Sequence, residues 1–418
     1  MIIEVPYNRA KLTVNIPDER VLGIIEPNEV DLSGTNESMI HEALNSVYGQ
    51  ETFKEFMESP GKLLVIVNDG TRPTPTRFVL DVIADDLEAG DAEFIIATGV
   101  HRGPTREEYD FIFGEHYERF SGKIHVHDAR NDDEMIFPGH SSNGTEMAIN
   151  RLGIICEKIL VIGSVEPHYF AGYTGGRKGI LPGIAAFKTI EQNHKHALHE
   201  NARALQLTGN PVHEDMMDAL KILKNRIFGI MTVLEKNQRI YGVTAGDIHK
   251  SFYAAIDKAR EVFVTEVETA ADIVVSVSRY PMDVDLYQAQ KAIDNGKLVL
   301  KDGGILILVA ACREGLGEEA FVNILSSSSN VAEVLEKIRV EYRLGYHKAA
   351  KMAEVFNRAE VWGLTELPDE LLEKIFIKPV QNLQIALDTA LAEKGPNAGV
   401  IFMLDGSVTV PSVKKQIQ

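Results

Sequence analysis

The sequence predicts an α/β protein of two domains, each built on a largely parallel sheet. Three observations predict it. Short runs rich in Val, Ile and Leu recur without the apolar–polar alternation of a half-exposed strand, so their strands are covered on both faces. Helical patterns separate the runs, as connections between parallel strands require. At 418 residues the chain exceeds what one ordinary core organises.

Taken in order, MIIEVPYNRAKLTVNIP alternates like a β-hairpin arm and lacks the basic start and apolar stretch of a signal peptide. Strands follow at Leu63–Asn68 (LLVIVN), Glu93–Thr98 (EFIIAT), Lys123–His127 (KIHVH) and Lys158–Gly163 (KILVIG). Helices lie between them at Thr76–Leu87 and Thr105–Phe113; the second opens with Thr105 and Glu108 spaced as a capping box. VFVTEVETAAD, near residues 262–272, leads into a fresh βα series with strands at Asp272–Val277 and Gly304–Ala310. The tail AGVIFMLDGSVTVPSV (Ala398–Val413) reads as strands returning to the first domain. This gives domains of 1–265 plus 398–418, and 266–397.

The net charge of −18 opposes nucleic acid and anionic membranes as partners, yet leaves room for a cationic pocket that takes a small anion. No uncharged apolar run approaches the roughly 20 residues of a spanning helix. Cys156 and Cys312, the two cysteines, sit far apart in apolar runs and read as buried thiols in a reducing compartment, the cytoplasm.

The chemistry collects after the strands. In parallel sheets the carboxyl ends share one edge, where ligands bind. Behind Asn68 comes DGTRPTP, behind Thr98 GVHRG, behind Gly163 SVEPHYFAGYTGGRKGILPG, and behind Val277 SRYP with a helix carrying Tyr287, Gln288 and Lys291. Asp69 suits an Asx-type turn; Arg72 is not required by one, and a guanidinium there suits a carboxylate or phosphate. His101 lies between two glycines just past a strand. GYTGGRKG fails the P-loop pattern, because Arg177 separates Gly176 from Lys178 and Gly179 follows the lysine, so ATP hydrolysis loses its main support. Gly175 and Gly176 still let backbone amides approach a phosphate, and Lys178 reads as a phosphate contact or a nucleophilic amine. His194 and His196 fall on different helix faces, which excludes a zinc pair spaced four apart and leaves room for a single ligand from this helix. His196 and His199 read as solvated, and His125 and His127 complete no metal set. Gln288 and Lys291 share a helix face, and Trp362, the one tryptophan, reads as a core or interface residue.

DGTRP (Asp69–Pro73), GVHR (Gly99–Arg102), PHYFAGYTGGRKGILPG (Pro167–Gly183), NH (Asn193–His194) and YQAQK (Tyr287–Lys291) together resemble the nickel-dependent lactate racemase family along essentially the whole chain. No anchor position departs from its pattern. The resemblance implies a two-domain layout with an interdomain active-site cleft, the first domain binding cofactor. It implies nickel in a nickel-pincer nucleotide, pyridinium-3,5-bisthiocarboxylic acid mononucleotide, covalently attached to Lys178, with His194 as the protein's metal ligand and Gly175 and Gly176 folding round the nucleotide. Asp69 would bond a ribose or pocket group. The implied reaction inverts C2 of a small 2-hydroxy acid by reversible hydride transfer, with His101 and His168 as acid/bases for one enantiomer each. Arg72 and Lys291 would hold the carboxylate, beside Tyr287 and Gln288; Trp362 matches a pocket position loosely. Cofactor-synthesis enzymes would be partners. Two alternatives compete. A sugar-acid epimerase using an ordinary divalent metal is disfavoured by scarce paired carboxylate and histidine ligands. A non-catalytic sensor of a phosphorylated ligand would need neither histidine base.

Overall fold

The computed structural model describes residues 1–414. They form two units: Glu29–Val262, and Met1–Asn28 together with the chain from Phe263.

Six strands build the sheet of the first unit, in the order Ile240–Asp247, Arg226–Leu234, Lys158–Ser164, Leu63–Asn68, Glu93–Ala97, Ile124–Val126. All neighbours are parallel except the antiparallel edge strand Ile240–Asp247. Every residue of Lys158–Ser164 is buried, as a strand covered on both faces requires. One face packs on a core in which Phe228 meets Phe53 and Phe56 with ring centroids 5.6 and 5.2 Å away. From Leu63–Asn68 the chain passes through helix Thr76–Ala89 to the strand on one side. From Lys158–Ser164 it proceeds to the strand on the other. The two connections diverge, which opens a crevice at the carboxyl ends of these adjacent strands. Helix Arg106–Phe113 starts with the expected box: Thr105 Oγ1 accepts from the Glu108 amide, and the Glu108 carboxylate accepts from the Thr105 amide. The sequence reading passes over Arg226–Leu234 and Ile240–Asp247, whose interior glycines interrupt their apolar runs.

The main sheet of the second unit has six strands, all parallel, in the order Lys378–Pro379, Glu360–Leu364, Leu300–Val309, Ala271–Val277, Val400–Met403, Val21–Ile25. Residues 1–28 and the tail therefore belong here and not to the first domain, as the sequence reading assigns them. The reason is apolar coverage. Ile3, Val5, Val14 and Ile16 of the arm bury their side chains in this unit's core with Val400 and Phe402 of the tail. Val410–Val413 pairs in parallel with Val264–Val267. Cys156 and Cys312 are free and buried. No helix among the described residues is long and apolar enough to cross a membrane.

Trp362 lies in the same core at 1% exposure, with its indole N–H donating to Glu360 at 3.0 Å and the Lys378 ammonium 3.9 Å from the ring centroid. It is a core residue, in line with the reading of the one tryptophan as core or interface, because its strand faces it into the sheet's packed side. Trp362→Ala is expected to cost about 3–5 kcal/mol of stability. Circular dichroism during denaturant unfolding reads it; a midpoint equal to wild type would contradict the core assignment.

Candidate active site

Two groups of side chains form at the carboxyl edge of the first unit's sheet. The first follows Leu63–Asn68 and Glu93–Ala97. Asp69 is buried, and its Oδ1 accepts from the Thr71 hydroxyl at 2.7 Å and the Thr71 amide at 3.3 Å. Its Oδ2 lies 2.7 Å from His101 Nδ1. A carboxylate can only accept, so Nδ1 carries the hydrogen and His101 Nε2 is left with a lone pair. Asp69 thus orients His101, a role the sequence reading does not give it. The His101 side chain is 45% exposed, beside a depression of about 260 Å³ that Thr71 and Gly70 also line. Arg72 is half-buried and enters no ion pair among the described residues. Arg102 is turned elsewhere, gripping Glu108 through two nitrogens at 2.7 and 3.0 Å; with the Thr105 amide it holds that carboxyl down at about 2.

The second group follows Lys158–Ser164. Pro167–His168 and Gly172–Tyr173 pair as a short hairpin. At its tip Phe170, which is 2% exposed, packs against three candidate residues at once. Its ring centroid lies 4.5 Å from His168, 5.0 Å from His194 and 5.8 Å from Lys178 Nζ. The Asn210 amide fixes the Phe170 carbonyl at 2.8 Å. The sequence reading misses Phe170; its signal is a large apolar side chain midway along an otherwise polar loop. Helix Phe187–Lys195 brings in His194, and burial, then the Lys178 charge, pushes this imidazole down to about 3. It is neutral at any ordinary pH. The preceding Asn193 is fully buried and donates to Val212 and Asp215, and its carbonyl oxygen has no hydrogen-bond partner among the described residues.

The groups are joined along the edge. Thr74 Oγ1 donates to Asn68 at 2.8 Å and lies 2.9 Å from Ser164 Oγ, bridging the two diverging strands. The Gly99 amide donates to the Gly183 carbonyl at 3.0 Å, tying the His101 turn to the end of the glycine loop. Within that loop, Gly175 has φ of +78° and a Cβ there would lie 2.6 Å from Val165 Cγ2; at Gly176, φ is +55° and a Cβ would meet the Phe252 ring at 3.1 Å. The chain's own packing requires these glycines. Arg177 is buried beneath the loop, donating to the Ala171, Thr174 and Gly175 carbonyls and to His213, and stacking on Phe252 at 4.3 Å.

The second unit carries the remaining candidates on helix Leu286–Gly296, which leaves the carboxyl end of Ala271–Val277. The Asp285 carboxylate caps it at the Gln288 amide, 2.7 Å. Lys348 donates to the Tyr287 carbonyl and sits 3.3 Å above its ring, while burial, Glu318 and Asp285 raise the phenol's pKa. Lys291 lies one turn further on. Among the other histidines, His127 is structural, its Nε2 2.9 Å from the Ala185 carbonyl. His196 is not solvated as expected: it lies 3.4 Å from the fully buried Asp215.

The lactate racemase N-terminal domain family matches residues 7–205, and the lactate racemase C-terminal domain family matches residues 266–410. This chain belongs to the lactate racemase family. It is 31% identical to the lactate racemase of Thermoanaerobacterium thermosaccharolyticum over 417 residues, 97% of each chain. It is 29% identical to that of Lactiplantibacillus plantarum over 419 residues, 97% of this chain and 98% of the other. The structure of the T. thermosaccharolyticum lactate racemase apoprotein superposes with a TM-score of 0.92 at 30% identity, covering 98% of this chain and all of that one. A Thermotoga maritima protein at 17% identity and TM-score 0.68 shares the fold. The chain is accordingly an isomerase of the racemase type, which sets aside the non-catalytic sensor.

His213 is also pushed down to about 3, by burial, then Arg177 and His249. Both His194 and His213 refuse protons that the unfolded chain takes up below its ordinary value of about 6.5. The unfolded state then binds more protons, so stability is lost as pH falls through that value and onward toward 3. The Tm is expected to drop between about pH 6.5 and pH 4, with a shallower slope in His213→Asn; a flat Tm over that window would contradict the burial of both rings as neutral groups.

Proposed function

We propose that this racemase inverts C2 of lactate, or of a closely related small 2-hydroxy acid, by moving the C2 hydrogen as hydride and the hydroxyl proton through histidine. The observation that carries the proposal is the grouping of His168, His194 and Lys178 round one buried ring in a chain that belongs to the lactate racemase family.

The donor set fits a nickel-pincer nucleotide. A neutral imidazole, as at the half-buried His194, is the form that ligates nickel, and the Lys178 amine lies against the same phenyl ring. The oxygen-rich set that ordinary divalent ions prefer is lacking there. Among the described residues, the one three-donor group is Asp81, Glu115 and His116, two of them exposed. In this reading Lys178 holds the nucleotide covalently and His194 binds its nickel. When bound, the group supplies a hydride acceptor, which no side chain offers.

The protein residues then handle protons and position. His101 takes the hydroxyl proton of one enantiomer at Nε2, and Asp69 steadies the imidazolium that forms. His168 serves the opposite hand. Arg72 pairs with the substrate carboxylate, which its lack of an ion pair among the described residues favours. Tyr287, Gln288 and Lys291 as substrate contacts rest on the family resemblance alone. The enzyme would work in the cytoplasm on a small molecule, receive its cofactor from synthesis enzymes, and stay off nucleic acid and membranes through its charge of −18.

In protein co-expressed with a cofactor-synthesis pathway, intact mass should show an adduct that Lys178→Ala lacks. Chiral chromatography of D- and L-lactate incubated with that protein should show interconversion. His101→Ala and His168→Ala should each lower kcat by roughly 10²–10⁴-fold, and Asp69→Asn by a similar factor by reversing the His101 tautomer. Full interconversion in either histidine variant would defeat the two-histidine scheme. A wider screen, from lactate to malate and aldonates, defines the substrate.

A further inference from the structure

His101 and His168 are alike in sequence terms, each a histidine just beyond a parallel strand, but their rings are held by opposite chemistry. His101 Nδ1 faces the Asp69 carboxylate at 2.7 Å, an acceptor. His168 Nδ1 faces the Ala171 backbone N–H at 3.2 Å, a donor. The Ala171 amide sits at the tip of the 167–173 hairpin, a part of the chain fixed on its other side by the Arg177 bond to the Ala171 carbonyl, 2.8 Å. The His168 ring cannot turn over without cost. A flipped ring would set Cδ2–H against that N–H, and the ring is stacked on Tyr169 at 5.0 Å and edge-on to Phe170 at 4.5 Å.

We infer that the two histidines are built as unlike partners, His101 as the Nδ1–H tautomer that accepts a proton at Nε2, and His168 as the Nε2–H tautomer that can only donate there. A neutral imidazole has one lone pair in the ring plane. On His168 that lone pair is at Nδ1 and is occupied by Ala171. Protonating His168 therefore breaks the Ala171 bond and obliges the hairpin tip to turn its amide away. In the arrangement present here, one histidine of the pair is ready to take a hydroxyl proton and the other is not. The tautomers stand on geometry alone; their meaning for catalysis rests on the function proposed above. Because racemisation has an equilibrium constant of one, kcat/KM must be equal for both enantiomers. The inequality appears instead in kcat and KM taken singly, with the slower kcat in the direction that must first release Ala171.

The test uses the full-length protein labelled with ¹⁵N-histidine. Long-range ¹H–¹⁵N correlation spectra at neutral pH separate the two tautomers by the shift of each ring nitrogen, and His101→Gln and His168→Gln identify the two signals. The expected pattern is Nδ1–H for 101 and Nε2–H for 168. Ala171→Pro, which lacks the donor, should convert residue 168 to a tautomer mixture, while Ala171→Gly keeps it. If the proline variant does not fold, the wild-type pattern decides by itself. An Nδ1–H signal or an even mixture at 168 in the wild type overturns the inference. Absence of racemisation in cofactor-loaded protein would overturn the proposed function and leave the tautomer result intact, so the two failures are distinguishable.

Discussion

A parallel sheet sends every strand's carboxyl end to one edge, and in Glu29–Val262 the strand order reverses between Leu63–Asn68 and Lys158–Ser164. The loops leaving those two strands must separate, because their helices pack on different neighbours. The candidate chemistry of this unit depends on that divergence. Asp69 and Arg72 leave one strand, the hairpin with His168 leaves the other, and His101 comes from the next strand along. The Thr74–Ser164 contact of 2.9 Å keeps the crevice from opening further at its base.

Within the crevice, local packing makes the polar groups affordable. A neutral imidazole at His194 avoids the cost of burying an ion. Arg177, charged and buried under the glycine loop, is tolerated because carbonyls and the Phe252 ring receive it. Phe170 spaces His168, His194 and Lys178 without a polar group of its own side chain to satisfy, so their mutual distances are set by the dimensions of one ring. Tight loops serve the same end. Gly175 and Gly176 place the backbone where a Cβ would overlap Val165 or crowd Phe252, and this draws the turn bearing Lys178 down onto the sheet.

Much of this was legible in the chain. The runs LLVIVN, EFIIAT and KILVIG declare buried parallel strands because hydrophobic periodicity is a local property, and the polar residues behind them identify one functional edge. The capping box at Thr105 and Glu108 is likewise local. Family membership was legible too, since DGTRP, GVHR and PHYFAGYTGGRKG persist as contiguous strings.

The sequence by itself thus determined the α/β class, the strands that carry the site and the residue types available for chemistry, all of which follow from composition and periodicity over a few residues. Tertiary structure alone decided the rest, because those matters depend on contacts between residues far apart in the chain. The arm at 1–28 joined the distant tail because their apolar faces share a core. Trp362 became core, Asp69 became the partner of His101 across 32 positions, and His168 met a backbone donor where its counterpart met a carboxylate. No periodicity encodes which hydrogen-bonding group will face a ring nitrogen; the folded loops choose it.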